Sequence, residues 1–388
     1  MCDNMFSDTT EALPSEVHEL LFTTNLGRNA DYYTVYKAFS SVLNEKDAVK
    51  RTFTMGMLLN GIMAKGPTEE EVSALLDAAF SLDGFNPNNR PSFPSFKKTI
   101  TVAGSGKKGL KTVNISSLAT VVAACHDDIV ILKLCSPSTS STTGSQDFFT
   151  ILGGNTHQNH EQMIADTTKT SLGFFPVEDV LPKFASMYSG WYFAPHAMSF
   201  ALAAMACRYK TDYLLYGLAH PDVTLSINIF RHYNYPQALV LCSTHDGVHY
   251  IDEIASQCGV SMQGYRSLKN RSPRKSYFYV ENEVPSITTE PVQKIIGQLP
   301  SQEDNIVKGL SAFCGNIPLA QQVAINAATI LVAAELYETF TDAYKKANEI
   351  IASRAPIGKL KEVITTSGGN SKTLEKYLNR AARYEKLA

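Results

Sequence analysis

The chain has 388 residues, more than one compact core accommodates, which predicts two or three domains or one domain with large insertions. Hydrophobic residues make up 44% and charged residues 19%, with a formal net charge of -2, so neither a disordered polyelectrolyte nor a global attraction to nucleic acid is expected. Seven cysteines without a CxxC pair fit reduced thiols in a cytoplasmic protein, and the longest apolar stretch, 319–336, is broken by Gln321, Gln322 and Asn326, so no signal peptide or membrane span is expected.

From Glu16 to about Leu82 apolar residues recur at three- and four-residue spacing, in YYTVYKAFSSVL and AVKRTFTMGMLLNGIMAKG, which predicts helices. Gly66 and Pro67 end the second of these, and Thr68 with Glu71 forms a capping box for EEEVSALLDAAF. The Pro- and Asn-rich NPNNRPSFPS, 86–95, reads as a linker. Beyond it, β-branched runs alternate with helical segments: Thr99 to Ala103, a helix near Leu118 to Cys125, then IVILKL from Ile129. This β-α-β pattern predicts an α/β fold with a mainly parallel sheet flanked by helices, preceded by a small all-helical unit. A helical patch over about 177–208 interrupts the pattern. DYLLYGLAHPDV and QALVLCS resume strands around a helical TLSINIFRHYN, and the chain is helical from Gln302.

GSGKKGLKTVNISS, Gly104 to Ser117, follows the first predicted strand and leads into a helix. Glycines there let backbone approach an anion, and amides at a helix start carry partial positive charge. Gly104, Gly106 and Gly109 nearly spell a dinucleotide fingerprint, but Lys133 stands where that fingerprint needs an acid, and a plain strand-to-helix turn is the alternative. SPSTSSTTGSQD follows the next strand and offers hydroxyls with Gly144 and Ser145, a second anion-suited loop. Two such loops after adjacent parallel strands, with Lys133 between them, point to a ligand with more than one phosphate.

Asp252 and Glu253 in HDGVHYIDEIAS follow another strand and suit Mg2+ at a phosphate. His245 with His249, and His157 with His160, lack a third ligand and read as solvated loop histidines. YRSLKNRSPRKSYFY sets Arg266, Lys269, Arg271, Arg274 and Lys275 among aromatics; it suits single-stranded nucleic acid, or a solvated loop entering an edge strand.

The order and spacing of these segments resemble the anthranilate phosphoribosyltransferase family and its relatives among the pyrimidine nucleoside phosphorylases. Gly104 to Ser117 is similar to the family's glycine-rich loop and Asn-x-Ser-Thr, and KLCSPSTSSTTGSQD to its Lys-His-Gly-Asn segment running into Ser-Gly-Ser-x-Asp. GVHYIDEIAS is similar to its magnesium-holding acids, AINAATILVAAELY to its C-terminal helix, and NGIMAKGPTEEEVSALLDAAF to its dimer-forming helices.

The resemblance implies that Gly104, Ser105, Gly106, Asn114, Ser116, Ser117, Lys133 and Ser145, with Lys107 and Lys108 beside them, contact phosphoribosyl pyrophosphate (PRPP). It further implies that Asp252 and Glu253 hold Mg2+, and that Lys133, Asp252 and Glu253 carry the chemistry in a homodimer. Residues 1–95 with about 170–208 would form the helical, dimerising and acceptor-side domain, and 96–169 with 209–388 the PRPP-binding α/β domain.

Lys107 and Lys108 replace a glycine and an acid of the family's loop, and Leu134, Cys135, Ser136 and Pro137 replace its His-Gly-Asn-Arg. The family's His-Pro falls near Leu181 and Pro182, and its anthranilate-contacting arginine near Gly190 or Trp191. A small-molecule acceptor other than anthranilate is therefore expected, with Ser136, Trp191 and His196 lining its pocket. LGFFPVEDVLPKF looks closer to a divergent branch associated with nucleic-acid binding. Two alternatives stay open: a non-catalytic nucleic-acid binder using Lys107, Lys108 and the 266–275 run, and a nucleoside phosphorylase with inorganic phosphate in the same cradle.

Overall fold

The structure is a computed structural model that describes residues 13–189, 191–256, 258–268, 271–276 and 291–384, with backbone alone at 266–268 and 271–276. The N-terminal helices are α1 (Ser15–Asn25), α2 (Tyr32–Leu43), α3 (Ala48–Lys65) and α4 (Glu69–Leu82). Their ends follow from local chemistry. Asp31 and Asp47 accept hydrogen bonds from the first free amides of α2 and α3, and the Thr68–Glu71 capping box is formed. Gly66 closes α3 at φ +90, a conformation that costs glycine nothing sterically. Glu71 also reaches sideways: its fully buried carboxylate accepts from Lys65 Nζ at 2.6 Å and from Ala30 N at 2.9 Å, tying α3, α4 and the α1–α2 turn together.

Residues 86–95, expected as a linker, dock against the body of the protein. Arg90 is buried, donates to Pro87 O at 2.7 Å and stacks its guanidinium over Tyr235, 5.3 Å from the ring centre, while Phe93 N donates to Lys210 O at 2.8 Å.

The strands are β1 (Lys98–Gly104), β2 (Ile129–Cys135), β3 (Leu172–Pro176), β4 (Tyr213–Gly217), β5 (Gln237–Thr244), β6 (Tyr250–Ile251), β7 (Gly259–Leu268) and β8 (Arg271–Ser276). They form one sheet in the order β3-β2-β1-β4-β5-β7-β8, with β6 paired to β5. β1 to β5 run parallel, and β7 and β8 turn antiparallel at one edge. The strands before the edge are buried on both faces, which explains near-continuous apolar runs such as IVILKLC. The α/β fold with a mainly parallel sheet is as the sequence predicts. The chain moves outward from β1 through β2 to β3, then returns to the other side of β1 for β4. β1 and β4 therefore flank a topological switch point, where a crevice opens at the carboxyl ends.

The remaining helices are α5 (Ile115–Ala123), α6 (Ser145–Ile151), α7 (His160–Thr170), α8 (Pro182–Tyr188), α9 (Leu202–Met205), α10 (Val223–His232), α11 (Val292–Ile296), α12 (Gln302–Ser311), α13 (Ile317–Ala333), α14 (Phe340–Ala352), α15 (Ala355–Thr366) and α16 (Ser371–Tyr384). One apolar cluster joins a sheet face to α5 and α12 to α16; a second joins the opposite face to α10, α8 and the N-terminal helices. The patch at 177–208 is less helical than its periodicity predicts. Only α8 and α9 form there, with single turns at Val177–Asp179 and Ala197–Phe200, because Pro182 can open a helix but not continue one and Pro195 cannot sit inside one. Among the described residues no helix is long and apolar enough to cross a membrane.

Candidate active site

The cleft begins where β1 ends. Gly104 of β1 pairs with Gly217 of β4, and a β-carbon on either would strike Asp252, so the pair of glycines admits the acid to the strand ends. Gly106 and Lys107 then turn through positive φ, +62 and +56, and the turn aims Gly106 N at Asp252 Oδ2, 3.1 Å away. Lysine in this left-handed region costs about 1 kcal/mol, so the surrounding contacts impose the turn. Ser105 clamps it, donating from N to Gly217 O at 2.8 Å and accepting at Oγ from Ala219 N at 2.9 Å.

Lys108 reaches into the acid pair. Its Nζ lies 2.6 Å from Glu253 Oε1, 3.0 Å from Asp252 Oδ1 and 2.6 Å from Thr112 Oγ1, and Thr112 donates onward to Glu253 Oε2 at 3.1 Å. Burial alone would lower the Lys108 pKa; the adjoining Asp252 and Glu253 carboxylates raise it, and the ammonium stays charged. Lys108 Nζ thus stands between the two carboxylates expected as metal ligands.

The 252–256 loop is held from behind by α13. Asn326 accepts from Ile254 N at 3.0 Å and donates to Ile254 O at 2.8 Å; Gln322 accepts from Ser256 N at 3.1 Å and also donates to Ile254 O. Ser243 Oγ of β5 donates to Glu253 O at 2.6 Å.

The 136–147 loop forms the facing wall. Asp147 Oδ2 accepts from Ser138 N and Gly144 N, both at 2.8 Å, which folds the hydroxyl-rich run back onto the start of α6. Asn114 Nδ2 donates to Gly144 O at 3.0 Å, joining the two loops, while its Oδ1 has no partner. Lys133, in the middle of the buried β2 face, and Lys111, whose Nζ donates to Lys108 O at 2.7 Å and Ser140 Oγ at 3.1 Å, put further cations along this wall. Burial pushes the pKa of both lysines down.

Aromatic side chains close the other side. Lys107 Nζ donates to Tyr188 OH at 3.1 Å, and that hydroxyl lies 2.6 Å from His196 Nε2. Phe184 stacks on Tyr188 with ring centres 4.9 Å apart. Burial pushes Lys107 down to about 8, partly opposed by Glu178, and drives His196 well below its ordinary range, so the imidazole is neutral. The Glu178 carboxyl lines the same pocket; burial raises its pKa, and Oε2 has no hydrogen-bond partner.

Gly104, Ser105, Gly106, Lys107, Lys108, Asn114, Ser116, Lys133, Ser136, Ser145, Asp252 and Glu253 all line this one cleft. Ser117 lies away from it, fully buried in α5. Trp191 points outward at 59% exposure, and His196 sits behind Tyr188. Gly190 lies outside the described residues, as do the side chains of the basic run from Arg266; Tyr265, just before it, is buried beneath Arg231. His249 bonds Asp246 at 2.6 Å in an exposed turn. Sequence reasoning missed Thr112, Lys111, Glu178 and Tyr188. The first two stand inside the glycine-rich loop already singled out; Glu178 lies within LGFFPVEDVLPKF, and Tyr188 within the aromatic run MYSGWYFAPHAM, 187–198, whose aromatic character marks it as a candidate pocket wall.

A family model described as "Glycosyl transferase family, a/b domain" matches residues 97–189. The chain is 29% identical over 157 residues to the anthranilate phosphoribosyltransferase of Caldicellulosiruptor saccharolyticus, 40% of this chain and 44% of the relative, so that match spans under half of the relative's length. It is 24% identical over 311 residues to that of Pyrobaculum islandicum, covering 80% and 88%. Among solved structures, anthranilate phosphoribosyltransferase from Saccharomyces cerevisiae in complex with PRPP and Mg aligns with a TM-score of 0.71 at 14% identity, over 91% of this chain and 98% of that one. The Thermus thermophilus enzyme aligns with 0.63 at 18%, over 90% and 99%. The fold is thus that of the α/β phosphoribosyltransferases with a helical unit packed beside the strand ends. Across most of its length the chain is similar to anthranilate phosphoribosyltransferases, and the glycosyl transferase family model matches its first three strands and the loops between them.

Proposed function

We propose that this protein transfers a phosphoribosyl group from PRPP to a small-molecule acceptor other than anthranilate. The observation that carries the reading is the convergence of two anion-suited loops, from β1 and β2, with Lys111 and Lys133 on one crevice at the switch point. As the acceptor's N–H or O–H attacks the anomeric carbon, the carbon–oxygen bond breaks and its electron pair leaves with pyrophosphate. Lys111, Lys133 and the loop amides meet that developing charge. The acceptor's proton leaves last, and Lys107, whose burial lowers it to about 8 and so makes the neutral amine accessible, stands on the acceptor side to receive it in that amine form.

The acceptor wall supports the choice against anthranilate. No arginine is among the described residues lining the cleft, and a carboxyl, Glu178, occupies the aromatic end. That end repels a carboxylate and favours a flat neutral or basic compound presenting an N–H. Calorimetry with PRPP, then pyrophosphate release against a panel of such acceptors with anthranilate as control, tests the reading. Absence of PRPP binding sinks it, and efficient turnover of anthranilate sinks the acceptor assignment.

We further propose a homodimer through the N-terminal helices, in an intracellular setting. Val49, Phe53 and Met57 make an exposed apolar stripe on α3, with Phe22 and Leu26 exposed on and just after α1. Sedimentation showing a monomer that Phe53→Asp leaves unchanged removes this assignment.

A further inference from the structure

We infer that Lys108 is a built-in counter-ion that takes the place of a divalent metal at Asp252 and Glu253, so that this protein binds its anionic donor without metal at the acid pair. Only the donor half of this inference rests on the function proposed above.

The ammonium donates to Glu253 Oε1 and to Thr112 Oγ1, each at 2.6 Å, and lies 3.0 Å from Asp252 Oδ1 as an ion pair. Asp252 Oδ2 faces the Gly106 amide, and Glu253 Oε2 accepts from Thr112. Three of the four carboxylate oxygens thus have a hydrogen-bond donor, and the fourth, Asp252 Oδ1, is met by the ammonium as an ion pair without a hydrogen bond. Mg2+ instead needs about six oxygens in octahedral array at about 2.0–2.1 Å, and the lysine stands where that array would form. The pair is sheltered, with 7% of the Asp252 side chain and 2% of the Glu253 side chain exposed, so a mobile surface cation does not easily substitute.

The backbone fixes the lysine from both sides. Before it, Lys107 is held at positive φ; after it, Gly109 N donates to Tyr250 O at 2.9 Å, and a β-carbon at Gly109 would come within 2.7 Å of His249 Cα. The loop is therefore pressed onto β6 with the Lys108 side chain directed into the acids. One positive charge replaces two, leaving the triad of Lys108, Asp252 and Glu253 one unit negative. Lys111, bonded to the Lys108 carbonyl, and Lys133 stand at the same cleft to offset the difference.

The test uses Mn2+ alone on the donor-free protein, read by electron paramagnetic resonance. Wild type is expected to show no stoichiometric Mn2+ site. Lys108→Ala is expected to gain one that a second substitution, Asp252→Asn, removes, and Mn2+ is expected to raise the melting temperature of Lys108→Ala but not of wild type. A wild-type Mn2+ site that Asp252→Asn abolishes overturns the inference, as does a folded Lys108→Ala that gains none. Should Lys108→Ala not fold, wild-type calorimetry with PRPP in chelator and in Mg2+ decides. Affinities within about twofold support the inference, and a tightening of about tenfold that Asp252→Asn removes overturns it. PRPP binding under neither condition defeats the donor reading, while the Mn2+ comparison still decides the role of Lys108.

Discussion

Gly104 and Gly217 face each other across β1 and β4, and the room left by their missing side chains is filled by Asp252. Alanine at Gly217 drives its β-carbon into the Asp252 carbonyl. The expected cost is about 2–3 kcal/mol, the usual range for overpacking a close contact, read as a lower urea midpoint with an unchanged slope. PRPP affinity is expected to fall as well, because the same displacement moves the acid away from Gly106 N.

Lys107 provides a pH signature. Its folded pKa of about 8 lies below the ordinary lysine value of 10.5 because the charged form is buried. Below pH 8 both folded and unfolded chains hold the proton and the folded state bears the whole burial penalty. Between about 8 and 10.5 the unfolded chain binds more protons, so stability rises with pH through that window. Lys107→Met is expected to remove this rise and to add on the order of 2 kcal/mol at pH 7 relative to wild type. Denaturation midpoints of the two proteins from pH 6 to 10.5 check it; parallel profiles count against the burial assignment.

Lys65 and Glu71 form an ion pair in the helical unit with side chains 2% and 0% exposed. Lys65→Met leaves a buried carboxylate supported only by Ala30 N and its own cap. About 3 kcal/mol of stability is expected to go, at the lower end for a broken buried pair because those two amide donors remain. Chemical denaturation measures it, and replacing Glu71 by Gln in the same background is expected to restore part of the loss.

Asn326→Leu tests the support of the acid loop. Ile254 N loses its acceptor while Ile254 O keeps Gln322, and about 1–3 kcal/mol is expected from the unsatisfied backbone amide. Hydrogen exchange at 252–256 is expected to accelerate, and PRPP affinity to drop although residue 326 does not line the cleft.

Much of this architecture is legible in the sequence because it is written in local rules. The Thr68–Glu71 box, the Gly66 stop, the apolar β2 and the glycines after β1 each act within a few residues of themselves. What escapes is set by contacts between distant segments. Lys108 meets Asp252 across 144 positions, 252 less 108, and only the fold decides whether a lysine in a glycine-rich loop faces a phosphate or an acid. Tyr188 and His196 come together because Pro195 interrupts a helix that periodicity alone predicts. Arg90 looks like part of a linker until Tyr235 is seen beneath it. Gln322 and Asn326 register in the sequence only as polar interruptions of an apolar helix, yet their role is to hold the acid loop.

That anchoring gives the two sides of the cleft different foundations. The acid loop is bolted to α13, itself among the most buried helices of the protein, so it cannot shift without disturbing the core beneath it. The opposite side carries Tyr188 on the seven-residue α8, which is followed by the exposed Trp191 and Phe193. That side rests on the helical unit instead: Asp83, just after α4, accepts from Lys183 N at 2.8 Å and Phe184 N at 2.9 Å. The ammonium of Lys107, bonded to Tyr188, joins the glycine-rich loop to this second foundation, so the cleft spans two separately anchored walls.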